Sequence, residues 1–363
     1  MAKHRWTPRA ALLAHAKPVS SLQFSRSGEF VASAGADRVV KIWATSALLA
    51  SAAEASSAAS GKLAAPRTAL FGHEEGVNAA SWSPDGRYLV SASDDRTARV
   101  WDVECGQTLS TLGRARSATS AFNAHGIAVD APLPPEGDDG HAGFVFAAQF
   151  NPQGSLVATA SFDESVRFWD VRTGRSVAAL AAHHEPIVSA CFNHDGTLLV
   201  TASYDGLARL WDVASRQCLR TIATEAPRAP LTHAQFAPNS RYVLVGALDG
   251  ALRLYDYARE YCVRTYAGHA SKRFCTVAAF ARPRRLLCGS EDGRVCVWDV
   301  QSAALVDELW VAPSPTGGGA TGGGATSLPV IAVDHHPDRP VVVASAGKAL
   351  HVWEEETESD DAS

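Results

Sequence analysis

The sequence predicts an all-β chain, a seven-bladed propeller closed by an N-terminal strand. Two recurrences carry this reading. Seven segments end in an aromatic residue, usually followed by an acid: Trp43, Trp101-Asp102, Trp169-Asp170, Trp211-Asp212, Tyr255-Asp256, Trp298-Asp299 and Trp353-Glu354. In six of them an Asp stands six residues before the aromatic (Asp37, Asp95, Asp163, Asp205, Asp249 and Asp292), with Gly347 in the seventh. Successive aromatics are separated by 58, 68, 42, 44, 43 and 55 residues. The three short spacings match the ~40–45-residue period of a four-stranded propeller blade, and the three long ones predict insertions between blades.

Within a unit the elements follow in fixed order. A His lies 22 residues before the Asp at His15, His73, His141 and His183, and one residue further away at His269. A short first strand then ends in Phe24, Trp82, Phe150, Phe192, Phe236 or Phe280. Turns such as Ser83-Pro84-Asp85-Gly86, Asn151-Pro152-Gln153-Gly154 and Asn193-His194-Asp195-Gly196 come next, built from residues that favour tight turns. The second strand is apolar or β-branched, as in Leu89 to Ser91, Leu156 to Thr159 and Leu198 to Thr201. It carries a hydroxyl four residues before the Asp in the first four units, replaced by Val245, Cys288 and Val343 in the last three. Units one to four therefore hold complete sets: His15, Ser33, Asp37, Trp43; His73, Ser91, Asp95, Trp101; His141, Thr159, Asp163, Trp169; and His183, Thr201, Asp205, Trp211.

Thr159, His141 and Asp163 have the residue types of a nucleophile, a base and an orienting acid. A catalytic set is needed once, however, and this one recurs at fixed spacing in four successive units, so it reads as structure and the chain is not predicted to be an enzyme. The paired histidines His183-His184 and His335-His336 are neighbours in sequence, and side chains at adjacent strand positions face opposite ways.

The 363 residues could fill two ordinary domains, but the repeat occupies nearly all of them and predicts one. After Trp353 only the acidic stretch Glu354 to Ser363 remains, so the fourth strand of the last blade is expected near Arg9 to Ala14, removing a free sheet edge. The predicted organisation is an N-terminal tail over 1–9, the propeller over 10–354 and an acidic tail over 355–363. Insertions fall near 44–66, 113–139 and 312–327. The Ala-rich segment Ala47 to Ala59 has the composition of a short helix but lacks a convincing apolar stripe, and a flexible linker is the favoured reading; Gly317 to Gly324 lacks the Gly-Lys-Ser/Thr of a phosphate loop.

No apolar stretch approaches the ~20 residues of a membrane span, and the run Ala10 to Ala14 is too short for a signal peptide. Seven cysteines without zinc-like spacing read as reduced core thiols of a cytosolic or nuclear protein, with no metal and no cofactor. Of the net charge of −5, the last ten residues supply six acids. The body is thus close to neutral, which argues against direct nucleic-acid binding. The cluster Arg282, Arg284, Arg285 reads as a solvated turn.

With the repeat residues committed to the fold, function is sought at the positions between them. The residue before each turn Asp (Ala36, Asp94, Phe162, Tyr204, Leu248, Glu291 and Ala346) recurs on one face and should ring one mouth of the channel. Its aromatics and acids suit a cationic side chain.

The stretches SASDDRTARVWDV (91 to 103), FNPQGSLVATASFDESVRFWDV (150 to 171), HDGTLLVTASYDGLARLWDVASRQCLRTI (194 to 222) and SEDGRVCVW (290 to 298) resemble the WD-repeat subunit shared by COMPASS- and MLL-type histone methyltransferase complexes, the WD-repeat-containing protein five family. The resemblance covers roughly residues 10 to 310. It implies that His, hydroxyl, Asp and Trp form a buried hydrogen-bond chain. It also implies a non-enzymatic, monomeric scaffold within a hetero-complex, whose partners are a methyltransferase catalytic subunit, other subunits and a histone tail. The location it implies is the nucleus, with the cytoplasm also open.

In that family an arginine enters the channel mouth between two phenylalanines. Carried over by motif, the first falls on Phe146 and the second on Val277. The other positions fall on Ala36, Ser20, Asp94, Tyr204, Ser189, Phe274 and Cys275, with Asn78 and Ala79 replacing a serine and an aspartate. Loss of one cation–π face, about 0.5–2 kcal/mol, would weaken arginine binding by roughly three- to thirtyfold. A second-subunit cleft on the opposite face carries over to Asn239, Tyr242, Leu254, Phe280 and Gln301. The competing reading is a WD-repeat adaptor of a ubiquitin ligase or another assembly, which the valine at 277 keeps open.

Overall fold

A computed structural model describes residues 4–54, 65–113, 140–224, 228–282, 284–311 and 328–357. These residues form seven four-stranded sheets. In each, consecutive strands pair antiparallel, as in the first blade, Val19–Phe24, Phe30–Gly35, Val40–Ala44 and Thr68–Leu70. The first strands of successive blades lie side by side, and that of the seventh, Val330–His335, meets that of the first. The turns between second and third strands are tight: Arg38, Arg96 and Glu164, each just after the turn Asp, have φ of 72°, 69° and 67°. Gly206, Gly250 and Gly293 hold that position in blades four to six, where a left-handed φ is free of Cβ strain.

The closing strand is longer than the sequence suggested. The tail expected over 1–9 is in fact strand from His4, and His4–Leu13 pairs with the whole of Ala349–Thr357. Two side chains explain the extension. Trp6 is buried in a cluster with Leu287, Val295 and Val297 of blade six and Trp353 of blade seven. Beside it Arg285, 5.7 Å from the Trp6 ring, forms an ion pair with Glu355 at 2.5 Å with both side chains largely covered. Arg9 pairs with Glu354 (2.9 Å) and Glu356 (2.7 Å). The acids that seemed unfit for a strand are thus neutralised by the strand they pair with and by the arginine behind it. The basic cluster is likewise divided: Arg285 is paired, Arg284 donates to Gln301 Oε1 (3.1 Å), and Arg282 is exposed.

The first insertion also differs from expectation. Residues Thr45–Glu54 form the short helix that the composition allowed, in place of the favoured linker. Thr45 starts it by donating Oγ1–H to Gly28 O (2.6 Å), and Leu48 is buried with Leu12 and Ala14 of the closing strand region. Buried Leu48, partly buried Leu49 and the high helix propensity of the Ala and Leu residues suffice here, without a full apolar stripe. Residues 55–64, the insertions over 114–139 and 312–327, and the acidic tail from 358 lie outside the described residues. All seven cysteines are unpaired, but only Cys288 and Cys296 are buried, while Cys105, Cys218 and Cys262 are exposed.

The inner strand of every blade has one edge with no strand beside it, and its backbone groups lie within reach of side chains from the adjacent blade. Side chains supply the missing partners. Gln23 Oε1 accepts from Trp82 N–H (2.9 Å) and Gln149 Oε1 from Phe192 N–H (2.8 Å). Ser189 both donates to Ala234 O (3.1 Å) and accepts from Ala234 N–H (3.3 Å). Asn78 donates to Val145 O (3.0 Å), Gln235 to Ala278 O (3.1 Å), and Ser20 to Val77 O. At the seam between blades seven and one the residue doing this is charged: Asp334 Oδ2 accepts from Phe24 N–H (2.7 Å).

Ring closure has two measurable consequences. Trp6→Ala should destabilise the fold by about 3–5 kcal/mol, the range for emptying a buried tryptophan site, measured by urea unfolding; a change near zero would mean that the first residues do not close the ring. Burial pushes the Asp334 carboxyl up to about 6 against the pull of the Phe24 and His335 N–H groups. With the folded value above the ordinary 3.8, its stabilising contribution is full below about pH 4 and lost as pH rises through about 6. Asp334→Asn, which keeps one acceptor oxygen for Phe24 N–H and gives up the one that His335 N–H uses, should therefore shift the melting temperature more favourably at pH 7.5 than at pH 5. An equal or more favourable shift at pH 5 would show that the charge is not the cost.

Candidate functional site

In blade one, Trp43 Nε1–H donates to Ser33 Oγ (2.8 Å), the hydroxyl donates to His15 Nε2 (2.8 Å), and Nδ1–H donates to Asp37 (2.9 Å). Tryptophan can only donate and a carboxylate only accept, so the direction and the histidine tautomer are fixed from both ends. The same chain runs Trp101, Ser91, His73, Asp95 at 2.8, 2.7 and 2.7 Å. It runs Trp169, Thr159, His141, Asp163 at 2.8, 2.7 and 2.9 Å, and Trp211, Thr201, His183, Asp205 at 3.0, 2.8 and 2.9 Å. Burial holds His15 and His183 below their ordinary range although Asp37 and Asp205 pull the other way. Burial also raises Asp95 and Asp163, but the bonds from His73 and Thr97, and from His141 and Ser165, outweigh it and leave both carboxyls low. The hydroxyls Ser33, Ser91, Thr159 and Thr201 are 0% exposed. Each already accepts from a tryptophan, so none is placed to attack a substrate.

Blades five and six depart from this. Asp249 pairs with Arg253 (2.6 Å) and Asp292 with Arg294 (2.9 Å). His269, displaced by its extra residue, leaves Nδ1 without a partner and lies edge-on to Trp298 at 5.6 Å. A further recurring residue escaped the sequence reading: Lys41, Arg99, Arg167, Arg209 and Arg253 each stand four residues after a turn Asp. Lys41 donates to Ala14 O (2.6 Å) and Arg209 to Ala182 O (2.8 Å), the carbonyls just before the histidines. The repeated cation at that spacing was the available signal.

On the face of these histidine loops, the candidate mouth residues fall into two groups. In the first, Ala36 and Asp94 flank Gly76, and Asp94 Oδ1 accepts from Asn78 Nδ2 (2.8 Å), whose amide also reaches blade three beside Phe146. Phe162 stands 6.4 Å from Phe146 and 6.0 Å from Phe144. Phe144 and Phe162 are 45% and 50% exposed, so the aromatic group faces solvent. Ser20, Asn78 and Phe146 occupy the same bulged position of their first strands, where the register skips a residue. In the second group, Tyr204 OH lies 3.4 Å from Cys275 Sγ, next to exposed Phe274. Burial raises both the Tyr204 hydroxyl and the Cys275 thiol, so both stay neutral. Val277 is half-buried and its N–H bonds Ile331 O (2.9 Å). Ser189 is buried and engaged with Ala234, so it joins blades and lines no open mouth.

On the opposite face, Tyr242 and Phe280 are half-buried against a cluster that includes Leu254. Leu254 is only 4% exposed, so it supports the cleft from below and offers no contact surface. Asn239 Oδ1 caps its own turn through Arg241 N–H (3.1 Å). The backbone O of Gln301 takes Arg264 Nε–H (2.9 Å) and its side chain takes Arg284, giving the cleft a basic edge. Nearer the channel on this face, a cavity of about 610 Å³ opens among the first turns of blades one to five, lined by Gln23, Arg26, Gln149, Gln153 and His194 among others. Among the described residues no cluster of three or more His, Cys, Asp or Glu could hold a metal ion.

The chain belongs to the WD40 family (WD domain, G-beta repeat), whose model matches residues 6–44, 65–102, 137–170, 174–212, 216–256 and 260–299. Its seven-bladed propeller is that of a WD-repeat scaffold for protein–protein interactions. Among similar proteins, pre-mRNA-processing factor 19 of Mus musculus is 27% identical over 184 residues, 50% of this chain and 28% of that protein. A subunit of chromatin assembly factor 1 from Gallus gallus is 30% identical over 169 residues, 45% of this chain and 25% of that protein. THO complex subunit 3 of Arabidopsis thaliana is 35% identical over 105 residues, 29% of this chain and 26% of that protein. The chain thus spans less than a third of the length of each of these relatives, and none of the three is named for a methyltransferase.

Proposed function

We propose that this protein is a non-enzymatic scaffold of a nuclear, chromatin-associated assembly of the histone methyltransferase kind. It takes an arginine-bearing peptide, from a methyltransferase subunit or a histone tail, at the channel mouth and a second subunit in the cleft between blades five and six. The observation that carries this reading is the bridge from Asp94 through Asn78 to the strand bearing Phe146, with Phe162 and Phe144 beside it. A carboxylate and exposed aromatic rings on one wall suit a guanidinium, which binds carboxylates through paired N–H groups and stacks on rings. The nuclear setting is supported by the names of two relatives, one for pre-mRNA processing and one for chromatin assembly.

A second reading, an adaptor in another multiprotein assembly such as a ubiquitin ligase, is favoured by Val277 standing where the resembled family has its second phenylalanine. Calorimetric titration with an arginine-centred methyltransferase peptide separates the two. The scaffold reading expects specific binding, weakened roughly three- to thirtyfold by Phe146→Ala and strengthened by a similar factor in Val277→Phe. Silence from the wild type and from Val277→Phe alike would overturn it and leave the adaptor.

A further inference from the structure

The loop that enters blade six is built differently from its counterparts. In blades one to three the turn Asp accepts the N–H of the residue after the histidine: Ala16 to Asp37 (2.9 Å), Glu74 to Asp95 (3.1 Å), Ala142 to Asp163 (2.9 Å). In blade six Asp292 is taken by Arg294, and the anchoring duty passes one residue back to Glu291. Glu291 Oε1 accepts from Lys272 N–H (2.6 Å), Arg273 N–H (2.6 Å) and Phe274 N–H (2.9 Å), while Glu291 N–H closes onto Ala270 O (2.9 Å). Ser271, buried at the loop's base, donates to Phe274 O (3.3 Å). Burial works against the Glu291 charge, but these three N–H groups and nearby Arg273 hold its carboxyl below the usual range.

Turning three successive N–H groups onto one inward oxygen turns three successive side chains outward. Lys272, Arg273 and Phe274 are all exposed. The corresponding loops of blades two and four carry acids, Glu74 with Glu75 and Glu185, while that of blade one carries a single exposed lysine, Lys17. Blade six therefore presents two adjacent cations at the mouth, on a loop ordered before any ligand arrives, so that little further ordering opposes binding.

We propose that Lys272 and Arg273 form an acid-reading rim beside the arginine socket, so that the peptide preferred here carries a carboxylate side chain within a few residues of its arginine. The inference rests on the arginine reading above. The rim fixes the direction of the peptide, because its acid is drawn to blade six and repelled from blades two and four. Glu291 is a positioning residue: it holds the loop and touches no ligand.

The test uses three labelled peptides sharing one central arginine, flanked by glutamate, glutamine or lysine, titrated by fluorescence anisotropy. The wild type should bind the glutamate peptide about three- to tenfold more tightly than the glutamine peptide, as two exposed ion pairs allow. The lysine peptide should bind more weakly still, and the spread should shrink in about 0.5 M salt. Lys272→Glu with Arg273→Glu should reverse the order, and Glu291→Gln should narrow it while hydrogen exchange at 272–274 speeds up. Equal binding of all three peptides would overturn the rim and leave the arginine socket standing. Failure of all three to bind would overturn both.

Discussion

A ring of sheets has one recurrent difficulty: the innermost strand of each blade has backbone N–H and C=O groups with no strand beside them. Unpaired buried backbone groups are costly, and open sheet edges invite pairing with other chains. This molecule answers blade by blade. Gln23, Asn78, Gln149, Ser189 and Gln235 each reach from one blade to the backbone of the next. The seventh sheet, which alone joins both ends of the described chain, completes the ring through His4–Leu13 and Asp334. The channel and both of its mouths exist because these groups are satisfied.

That constraint decides which polar residues remain for function. The four Trp, hydroxyl, His and Asp chains consume the chemistry that elsewhere makes a catalytic triad, and burial keeps His15 and His183 neutral. Ser20 and Ser189, though near the mouth in sequence pattern, join blades. What is left is chiefly the residue before each turn Asp, together with the bulged Phe146. Their side chains differ from blade to blade because the repeat does not use them. The two walls of the mouth differ accordingly, one carrying Asp94 with three phenylalanines, the other Tyr204, Cys275 and a loop held by Glu291.

Where a feature repeats, the sequence reveals it: seven blades, their order, and the four polar sets are legible from spacing alone. Where a feature is made by meeting something distant, it is hidden. Residues Thr45–Glu54 lack a stripe, and their helix depends on Leu48 finding the closing strand. The acids after Trp353 looked unfit for a sheet because Arg9 and Arg285, their partners, lie far off in sequence. Leu254 matches a cleft position by type, yet its strand turns it into the core. The cations four residues after the turn Asp repeat clearly enough, but the role of Lys41 and Arg209 appears only once the carbonyls before His15 and His183 are seen folded back toward them.

The central claim is that recognition occurs at the mouth on the histidine-loop face, through residues the repeat leaves unused. Hydrogen exchange read by mass spectrometry, with and without a saturating arginine-centred peptide, locates the contact without disturbing the chain. The account predicts slowed exchange in the segments around Asp94, Phe144 to Phe146, Tyr204 and Ser271 to Val277, with the turns that line the opposite mouth unchanged. Protection confined to those opposite turns, or to the cleft at Tyr242 and Phe280, would contradict it.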